Sequence, residues 1–170
     1  MKKEFYSWTD VHGSCINIAR QMLMDKFFPD YIVGLTRGGL IPATMLSHYL
    51  ECPMHTLSVS LRDSEFGPES NLWMAEDAFG HHTEPKKILI VDDINDTGAT
   101  INWIKQDWPS GCFPNSERWK TTWHNNVKFA VLTDNIASAA DVDYAANEIN
   151  KADDDVWIVY PWENFWNGNH

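Results

Sequence analysis

One short segment constrains the fold of this chain more than any other, because it joins a buried strand to a helix through an acidic turn. Over residues 88–100 it reads ILIVDDINDTGAT, four apolar residues followed by three acids and a Thr-Gly turn. A compact apolar run of this kind is typical of a parallel strand covered on both faces. Ligands of open α/β sheets bind beyond the carboxyl ends of such strands. The segment therefore predicts an open α/β sheet with a polar site just after residue 91.

The rest of the chain alternates between strand-like and helix-like segments. Apolar, β-branched or aromatic runs predict strands over 31–35, 54–60, 127–133 and 156–160. The spacing of apolar residues predicts helices from Trp8 to Phe27, from Gly39 to Leu50 and from Ala99 to about Trp108. Strands that alternate with helices in this way predict a doubly wound α/β fold with a mostly parallel sheet.

Two stretches break this alternation inside what the length of 170 residues predicts to be one domain. Residues 61–85 are charged, contain Gly and Pro and show little periodicity, so a long mobile loop is predicted there. Residues 108–126 contain three tryptophans, Trp108, Trp119 and Trp123, among Pro and Gly residues. That composition predicts an ordered insertion, with extension of the core as the favoured role.

The charge balance and the cysteine pattern exclude several classes of protein. Thirteen Lys and Arg against 24 Asp and Glu give a formal net charge of −11, which argues against nucleic-acid binding because no basic stripe is visible. No apolar run approaches the roughly 20 residues needed to cross a bilayer. The first residues, MKKEFYSWTD, lack the apolar core of a secretory signal, and the three cysteines form no CxxC pair. A cytoplasmic protein without a membrane partner is expected.

The three acids of the central segment need a role of their own, because they repel the phosphate that a Thr-Gly turn at a helix start suits. Sugar hydroxyls, a bound Mg²⁺ ion and a proton to be abstracted are the candidates that the residue types leave open. A helix cap needs one acid rather than three. A calcium loop starting at Asp93 puts Ile104 at its twelfth position, where glutamate is required. The phosphate-loop patterns GxxxxGKS/T and GxGxxG do not occur.

The segment VDDINDTGAT over 91–100 resembles the phosphoribosyl-pyrophosphate signature of type I phosphoribosyltransferases. The segment LTRGGLIPATMLSHYL over 35–50 is similar to the pyrophosphate-loop region of the purine members of that family. The segment DVWIVYPWE over 155–163 resembles their base-binding hood, and the bacterial xanthine-guanine enzymes are the closest group. The resemblance implies the family's α/β fold, with a small hood formed by the terminal segments.

What the resemblance implies for the sugar and the phosphates can be assigned residue by residue. Asp92 and Asp93 would hold the ribose hydroxyls, directly or through Mg²⁺, and are the implied metal ligands. The 5-phosphate would lie in a cradle of Thr97, Gly98, Ala99 and Thr100. Arg37 and Gly38 would meet the pyrophosphate, with a cis peptide expected between these two residues.

The resemblance also implies how a nucleobase is bound. Asp96 would be the general base beside the purine imidazole nitrogen. Trp157 would stack on the base, and the Ile158 backbone would contact its exocyclic group. The family's purine enzymes carry a lysine at the end of the strand over 127–133, where this chain has Asn135. Asn135 would then contact the base as a neutral hydrogen-bond donor, which leaves the identity of the base open.

The resemblance implies a Mg²⁺-dependent phosphoribosyltransferase that acts in purine salvage. It would move the phosphoribosyl group from phosphoribosyl pyrophosphate to a nucleobase, a 6-oxopurine such as guanine, xanthine or hypoxanthine, and release pyrophosphate. A homo-oligomer is expected by analogy with the family. Two alternatives stay open from the sequence: a non-catalytic regulator that keeps the nucleotide-binding fold, and a transferase for a different base.

Overall fold

The computed structural model describes residues 1–59 and 71–163. Within those ranges the chain forms seven strands, four α-helices and one 3-10 helix. In chain order the elements are β1 Lys2–Phe5, α1 Trp8–Met24, β2 Tyr31–Thr36, α2 Leu40–Leu50, β3 Met54–Ser58, α3 Leu72–Phe79, β4 Ile88–Asn95, α4 Ala99–Gly111, the 3-10 helix Glu117–Thr121, β5 Val127–Asn135, β6 Tyr144–Ile149 and β7 Val156–Val159. None of the helices in these described ranges has the length and apolar character that a membrane span requires.

Five of the strands form one parallel sheet in the order β3-β2-β4-β5-β6. Gly34 of β2 is paired with Thr56 of β3 on one side and with Val91 of β4 on the other. From β2 the chain adds β3 on one side and then returns to add β4 on the other. The order of the strands therefore reverses between β2 and β4, and open α/β sheets bind their ligands at such a switch point.

The sheet is covered on both faces, as predicted for a doubly wound fold. Consecutive residues of a strand point to opposite faces, and Ile32 of β2 lies in one buried cluster while Val33 lies in the other. The first cluster contains apolar residues of α1 and α2, and the second contains those of α3 and α4. The helices therefore bury strands that are almost wholly apolar, which is why short runs such as 88–91 are continuous rather than alternating.

The terminal segments form a separate small sheet, as the predicted hood requires. β1 pairs with β7 in parallel register, from Lys2 opposite Val156 to Phe5 opposite Val159. The backbone N–H of Tyr6 continues this pairing by donating to Val159 O at 2.9 Å. The N-terminal strand thus holds β7 beside the main sheet, at the end where the polar segments lie.

The predicted loop over 61–85 is wrong for part of its length. Leu72–Phe79 form α3, which buries Met74, Ala75, Ala78 and Phe79. These residues have the four-residue spacing of a helix face, which Glu76 and Asp77 interrupt with charge. Residues 61–70 lie outside the described residues.

The Trp-rich insertion over 108–126 is folded into the protein. It contains the last turn of α4 and the 3-10 helix, and Trp108 and Trp119 are both buried in the cluster beneath α3 and α4. Trp119 donates its indole N–H to Cys112 O at 2.8 Å, and Trp123 packs on the same cluster. Its three indole rings therefore extend the core under α4.

Candidate active site

A cleft of about 1340 Å³ opens at the carboxyl ends of β2 and β4. The turn after β2, the last part of β4, the turn into α4 and the end of β7 all contribute to its lining. The cleft therefore lies at the switch point of the sheet, where the topology predicts a ligand. It is lined by eleven of the twelve predicted site residues: Arg37, Gly38, Asp92, Asp93, Asp96, Thr97, Gly98, Ala99, Thr100, Trp157 and Ile158.

The predicted phosphate cradle is a tight turn at the start of α4. Gly98, the residue before the helix, has φ +88°, a left-handed conformation that favours glycine, and no side chain caps the helix. A Cβ at Gly98 would lie 2.7 Å from the backbone nitrogen of Ala140. The first turn of α4 contains no acidic residue. A helix start without an acidic residue suits a phosphate dianion, because its first N–H groups lack partners within the helix and the helix dipole favours negative charge. Thr97 Oγ1, within the same turn, accepts the Ala99 N–H at 3.2 Å.

The acidic pair lies within β4 rather than in the loop after it. Asp92 is still paired with Val131 of β5, so the strand continues beyond the four apolar residues. Asp92 Oδ1 accepts the Asp93 N–H at 2.9 Å, and Asp93 Oδ1 accepts the Ile94 N–H at 2.8 Å. Burial and the neighbouring Asp93 carboxylate raise the pKa of Asp92 well above its ordinary value, and burial also raises the pKa of Asp93. Hydroxyl donors or a cation in the cleft would relieve this cost of charge.

The turn after β2 is pressed against the acidic pair. Gly39 N donates to Leu35 O at 2.8 Å, which closes the turn. A Cβ at Gly38 would lie 2.2 Å from Asp93 Oδ2, so glycine is required for this contact. The non-proline cis peptide is the Thr36–Arg37 bond, one residue earlier than predicted. It falls at the junction where β2 ends at Thr36 and the turn begins.

Tyr160 fixes the backbone beneath the acids, and its role was not predicted from the sequence. Its hydroxyl lies 2.9 Å from Asp93 O, to which it donates, and 2.9 Å from the hydroxyl oxygen of Thr133. Burial raises the pKa of Tyr160 well above its ordinary value, so the hydroxyl stays protonated. The Trp162 ring stacks on the Tyr160 ring with centroids 4.9 Å apart. The segment after β7 thus holds the last part of β4 in place.

Glu163 closes the same corner of the cleft. Its Oε2 accepts the Tyr160 N–H at 3.0 Å. Burial raises the pKa of Glu163, the charge of Asp93 adds to this effect, and the Arg37 guanidinium opposes it. The carboxylate therefore lies within electrostatic reach of both the acidic pair and the turn after β2.

Asp96 has a cationic partner that the sequence did not identify. Lys151 Nζ lies 2.9 Å from Asp96 Oδ1, and both side chains are partly exposed to the cleft. The same Nζ lies 5.5 Å from the ring centroid of Trp157, within the range of a cation–π contact. Trp157 is 45% exposed whereas its neighbours Val156 and Ile158 are buried, and it lines the cleft. Asp96, Lys151 and Trp157 therefore form one wall.

Asn135 does not line the cleft, which corrects the predicted contact with a base. Its side chain is 6% exposed, and its Nδ2 donates to Asp96 O at 2.8 Å. Its Oδ1 accepts the N–H groups of Ala137 and Lys151 at 3.2 and 3.0 Å. The carboxamide thus finds its partners inside the protein, and the side chain that faces the cleft beside Asp96 is that of Lys151.

Comparison with known proteins identifies the family. Residues 2–164 match the family described as the phosphoribosyl transferase domain. The chain belongs to this family. The predicted recognition of a type I phosphoribosyltransferase, and of a glycosyltransferase enzyme, is thereby confirmed.

Relatives of known name cover most of this phosphoribosyltransferase-family chain. It is 29% identical over 188 residues to the hypoxanthine-guanine phosphoribosyltransferase of Schizosaccharomyces pombe, across 94% of this chain and 88% of that protein. It is 26% identical to the xanthine-guanine phosphoribosyltransferase of Desulfotalea psychrophila, across 92% of this chain and 84% of that protein.

A solved structure confirms the predicted fold class. The purine phosphoribosyltransferase from Pyrococcus horikoshii superposes with a TM-score of 0.65 and 26% sequence identity. The superposition covers 96% of this chain and 95% of that one. The parallel sheet with a small terminal sheet is therefore the family's fold.

Proposed function

We propose that this chain transfers the 5-phosphoribosyl group of phosphoribosyl pyrophosphate to a ring nitrogen of a 6-oxopurine and releases pyrophosphate. One observation carries the proposal: an acidic strand end, a helix start with a left-handed glycine and a basic glycine turn meet in one cleft at the switch point of the sheet. The named relatives support the choice of a purine, because they are described as hypoxanthine-guanine, xanthine-guanine and purine enzymes.

The two ends of the sugar substrate have separate anchors in this arrangement. The 5-phosphate binds the turn from Thr97 to Thr100, whose hydroxyls and outward N–H groups are suited to a dianion. The pyrophosphate binds the turn of Arg37 and Gly38 after β2. The acidic pair between these anchors accepts hydrogen bonds from the ribose hydroxyls. The sugar is therefore held at both ends, with its reacting carbon between them.

Asp92 and Asp93 fit a magnesium ion that arrives with its substrate. Mg²⁺ usually keeps several waters and binds through one or two carboxylates together with substrate phosphates, rather than in a cage of protein ligands. The described part of the chain offers this pair of acids and no cluster of three or more potential ligands. Bound Mg²⁺ supplies positive charge that offsets the charge of the pyrophosphate, which also reconciles the net charge of −11 with a polyanionic substrate.

The wall formed by Asp96, Lys151 and Trp157 binds the nucleobase. The base stacks on the exposed Trp157 ring. The Lys151 ammonium has donor hydrogens and no acceptor, so it favours a base edge with an oxo group over one with an amino group. Asp96 accepts the proton of the attacking ring nitrogen. The family's purine enzymes carry a base-reading lysine at the end of β5, where this chain has Asn135. In this chain Lys151, in the segment before β7, takes that role.

The reaction forms one bond and breaks one. The lone pair of the purine nitrogen forms the new bond to C1 of the ribose, while the bond from C1 to the pyrophosphate oxygen breaks and that oxygen keeps the electron pair. The N–H proton moves from the purine to the Asp96 carboxylate. The turn of Arg37 and Gly38 stabilises the negative charge that develops on the leaving pyrophosphate. Fixed hydrogen-bond donors lower a barrier most when they are aimed at such a developing charge.

A panel of bases tests the proposed function directly. The wild-type chain is incubated with phosphoribosyl pyrophosphate, Mg²⁺ and hypoxanthine, guanine, xanthine, adenine or orotate, and pyrophosphate release and nucleotide formation are measured. We expect turnover with at least one 6-oxopurine and little with adenine. Turnover with orotate or adenine alone supports the alternative of a different base. Binding of phosphoribosyl pyrophosphate without turnover of any base supports the non-catalytic regulator.

Lys151→Met is expected to weaken the preference for oxo bases. Methionine keeps the length of the side chain and removes the charge. A hydrogen bond to a charged group contributes about 1.5–3 kcal/mol, so kcat/KM for the favoured 6-oxopurine should fall roughly 10- to 100-fold. The value for adenine should change little. Lys128→Met is the control, because Lys128 pairs with Asp25 away from the cleft. Equal losses for oxo and amino bases would remove Lys151 from base selection.

The wider setting of this activity stays a prediction. A role in purine salvage, a cytoplasmic location and a homo-oligomer follow from the family resemblance and await measurement in their own right.

A further inference from the structure

One buried carboxamide connects the backbones of the two charged residues in the proposed base-binding wall, Asp96 and Lys151. Asn135 is 6% exposed and uses both ends of its side chain within the protein. Its Nδ2 donates to the backbone oxygen of Asp96 at 2.8 Å, and its Oδ1 accepts the backbone N–H of Lys151 at 3.0 Å. One planar group is therefore bonded to the backbones of both residues whose side chains meet 2.9 Å apart in the cleft.

We propose that Asn135 is a positioning residue that sets the Asp96–Lys151 spacing and so links proton acceptance to base selection. This inference rests on the proposed function. Asn135 touches neither substrate in this scheme and acts only through the two residues to which it is bonded.

The order of the strands explains why such a link is needed. Asp96 follows the end of β4, Asn135 is the last residue of β5, and Lys151 follows the end of β6. These strands are neighbours in the sheet, but each of the two charged residues lies beyond the last strand residue of its own segment. Backbone pairing therefore ends before it fixes their relative position. The Asn135 carboxamide fills this role at the middle strand, where it reaches both sides.

Further hydrogen bonds connect the turn from Thr97 to Thr100 with the segment that follows β5. Ala139 N donates to Thr97 O at 2.9 Å, and the oxygen of Ala139 accepts from Asn102 Nδ2 at 3.3 Å. Asn135 Oδ1 also accepts the Ala137 N–H at 3.2 Å, which fixes the start of this segment. A shift of Asn135 would thus move Asp96 in two ways. It would act directly through the bond to Asp96 O, and indirectly through the segment after β5 that is bonded to Thr97. Misplacement of a reacting group by about 1 Å can lower a rate by about 10²-fold.

The test compares Asn135→Ala with Asn147→Ala. Asn147 is a matched control, because its Nδ2 donates to Leu132 O at 3.0 Å and to Ser14 Oγ at 3.2 Å, and it does not line the cleft. Both variants lose a carboxamide that connects two segments of the sheet region. We expect Asn135→Ala to lower kcat/KM for hypoxanthine roughly 10- to 100-fold and to narrow the hypoxanthine-over-adenine preference. Asn147→Ala should leave that preference unchanged at a similar unfolding temperature.

Asn135→Asp provides a variant of the same shape in case the alanine variant folds poorly. Its carboxylate can still accept the Lys151 N–H but no longer donates to Asp96 O. We expect it to lower kcat for hypoxanthine and to keep more of the oxo-over-amino preference than Asn135→Ala. That split between rate and selectivity is not expected of a residue that only stabilises the fold.

A double-mutant cycle with Lys151→Met completes the test. The effects of mutations at two coupled residues do not add. If Asn135 acts through Lys151, Asn135→Ala should therefore change the base preference by less than about twofold in a chain that already carries Lys151→Met. The positioning role is overturned if the effects of the two substitutions on the hypoxanthine-over-adenine preference multiply independently. It is also overturned if Asn135→Ala keeps the wild-type preference. The proposed function stands in both cases. A wild-type chain that turns over no base overturns the proposed function itself.

Discussion

Asp96→Asn is expected to lower kcat by roughly 10²–10⁴-fold, the usual contribution of a positioned proton acceptor. Asparagine has the size of aspartate but its amide does not accept a proton at neutral pH. Asp96 lines the cleft in the same wall as Trp157, and Lys151 Nζ lies 2.9 Å from its carboxylate. The amide oxygen of the variant can still accept from Lys151, so the wall keeps its shape. Steady-state measurement of pyrophosphate release gives kcat and KM separately, and the KM for phosphoribosyl pyrophosphate should change little.

Asp154→Asn is the matched control for this experiment. Asp154 is an exposed acid in the same connection as Lys151 and does not line the cleft. The Asp154→Asn substitution removes one negative charge from the same region and should leave kcat unchanged. An Asp96→Asn variant with wild-type turnover would show that another group takes the proton. Family membership does not depend on that result.

The local structure of the turn from Thr97 to Thr100 and of the acidic strand end was predictable because their residues are contiguous. An apolar run, two acids and a Thr-Gly turn specify a strand, its end and a helix start in that order, and Ile88–Asn95 and α4 have this arrangement. The carboxyl ends of parallel strands lie at one edge of a sheet, so the turn after β2 and Asp93 could be expected at the same edge. Local pattern and topology together were sufficient for this half of the cleft.

The wall formed by Asp96, Lys151 and Trp157 was only partly predictable, because it depends on side-chain direction. Sequence order placed Asn135 correctly at the end of β5, but not on which side of the strand end its carboxamide lies. Lys151 lies in a polar segment that also contains three consecutive acids from Asp153, and such a segment is usually a solvated approach to a strand. A lysine just before a strand of the hood was the one available signal. The pairing of Lys151 with Asp96 can be recognised only once the positions of β4 and β6 in the sheet are known.

Tertiary contacts also explain the elements that were missed. β1 consists of four exposed residues, Lys2–Phe5, without an apolar pattern of its own, and it is a strand because β7 offers it a partner. β6 carries mixed residues over Tyr144–Ile149 and forms the edge of the sheet beside β5. Strand formation at an edge depends on the neighbour more than on intrinsic preference.

Asp92→Asn is expected to make the chain more stable and nearly inactive. Burial and the neighbouring Asp93 carboxylate raise the pKa of Asp92 well above its ordinary value, so the ionised form destabilises the fold near pH 7. Asparagine keeps the oxygen that accepts the Asp93 N–H at 2.9 Å and removes the charge. The unfolding temperature should rise by about 2–6 °C, or roughly 1–2 kcal/mol for a chain of this size. kcat/KM should fall about 10²–10³-fold, since the ribose and its metal complex lose an anionic partner.

The pH dependence of this gain in stability separates charge from packing. A carboxyl whose pKa is higher in the folded state than in the unfolded state loses stability as the pH rises through the folded value. The advantage of Asp92→Asn should therefore be present near pH 7 and should vanish below about pH 4, where the carboxyl is protonated in both states. Thermal unfolding at both pH values, without Mg²⁺ or substrate, measures it, and Asp154→Asn should show no gain at either pH. A variant that unfolds at a lower temperature than wild type near pH 7 would mean that Asp92 holds β4 together. A gain confined to neutral pH would mean that the fold bears the electrostatic cost of two adjacent, half-buried acids at the cleft.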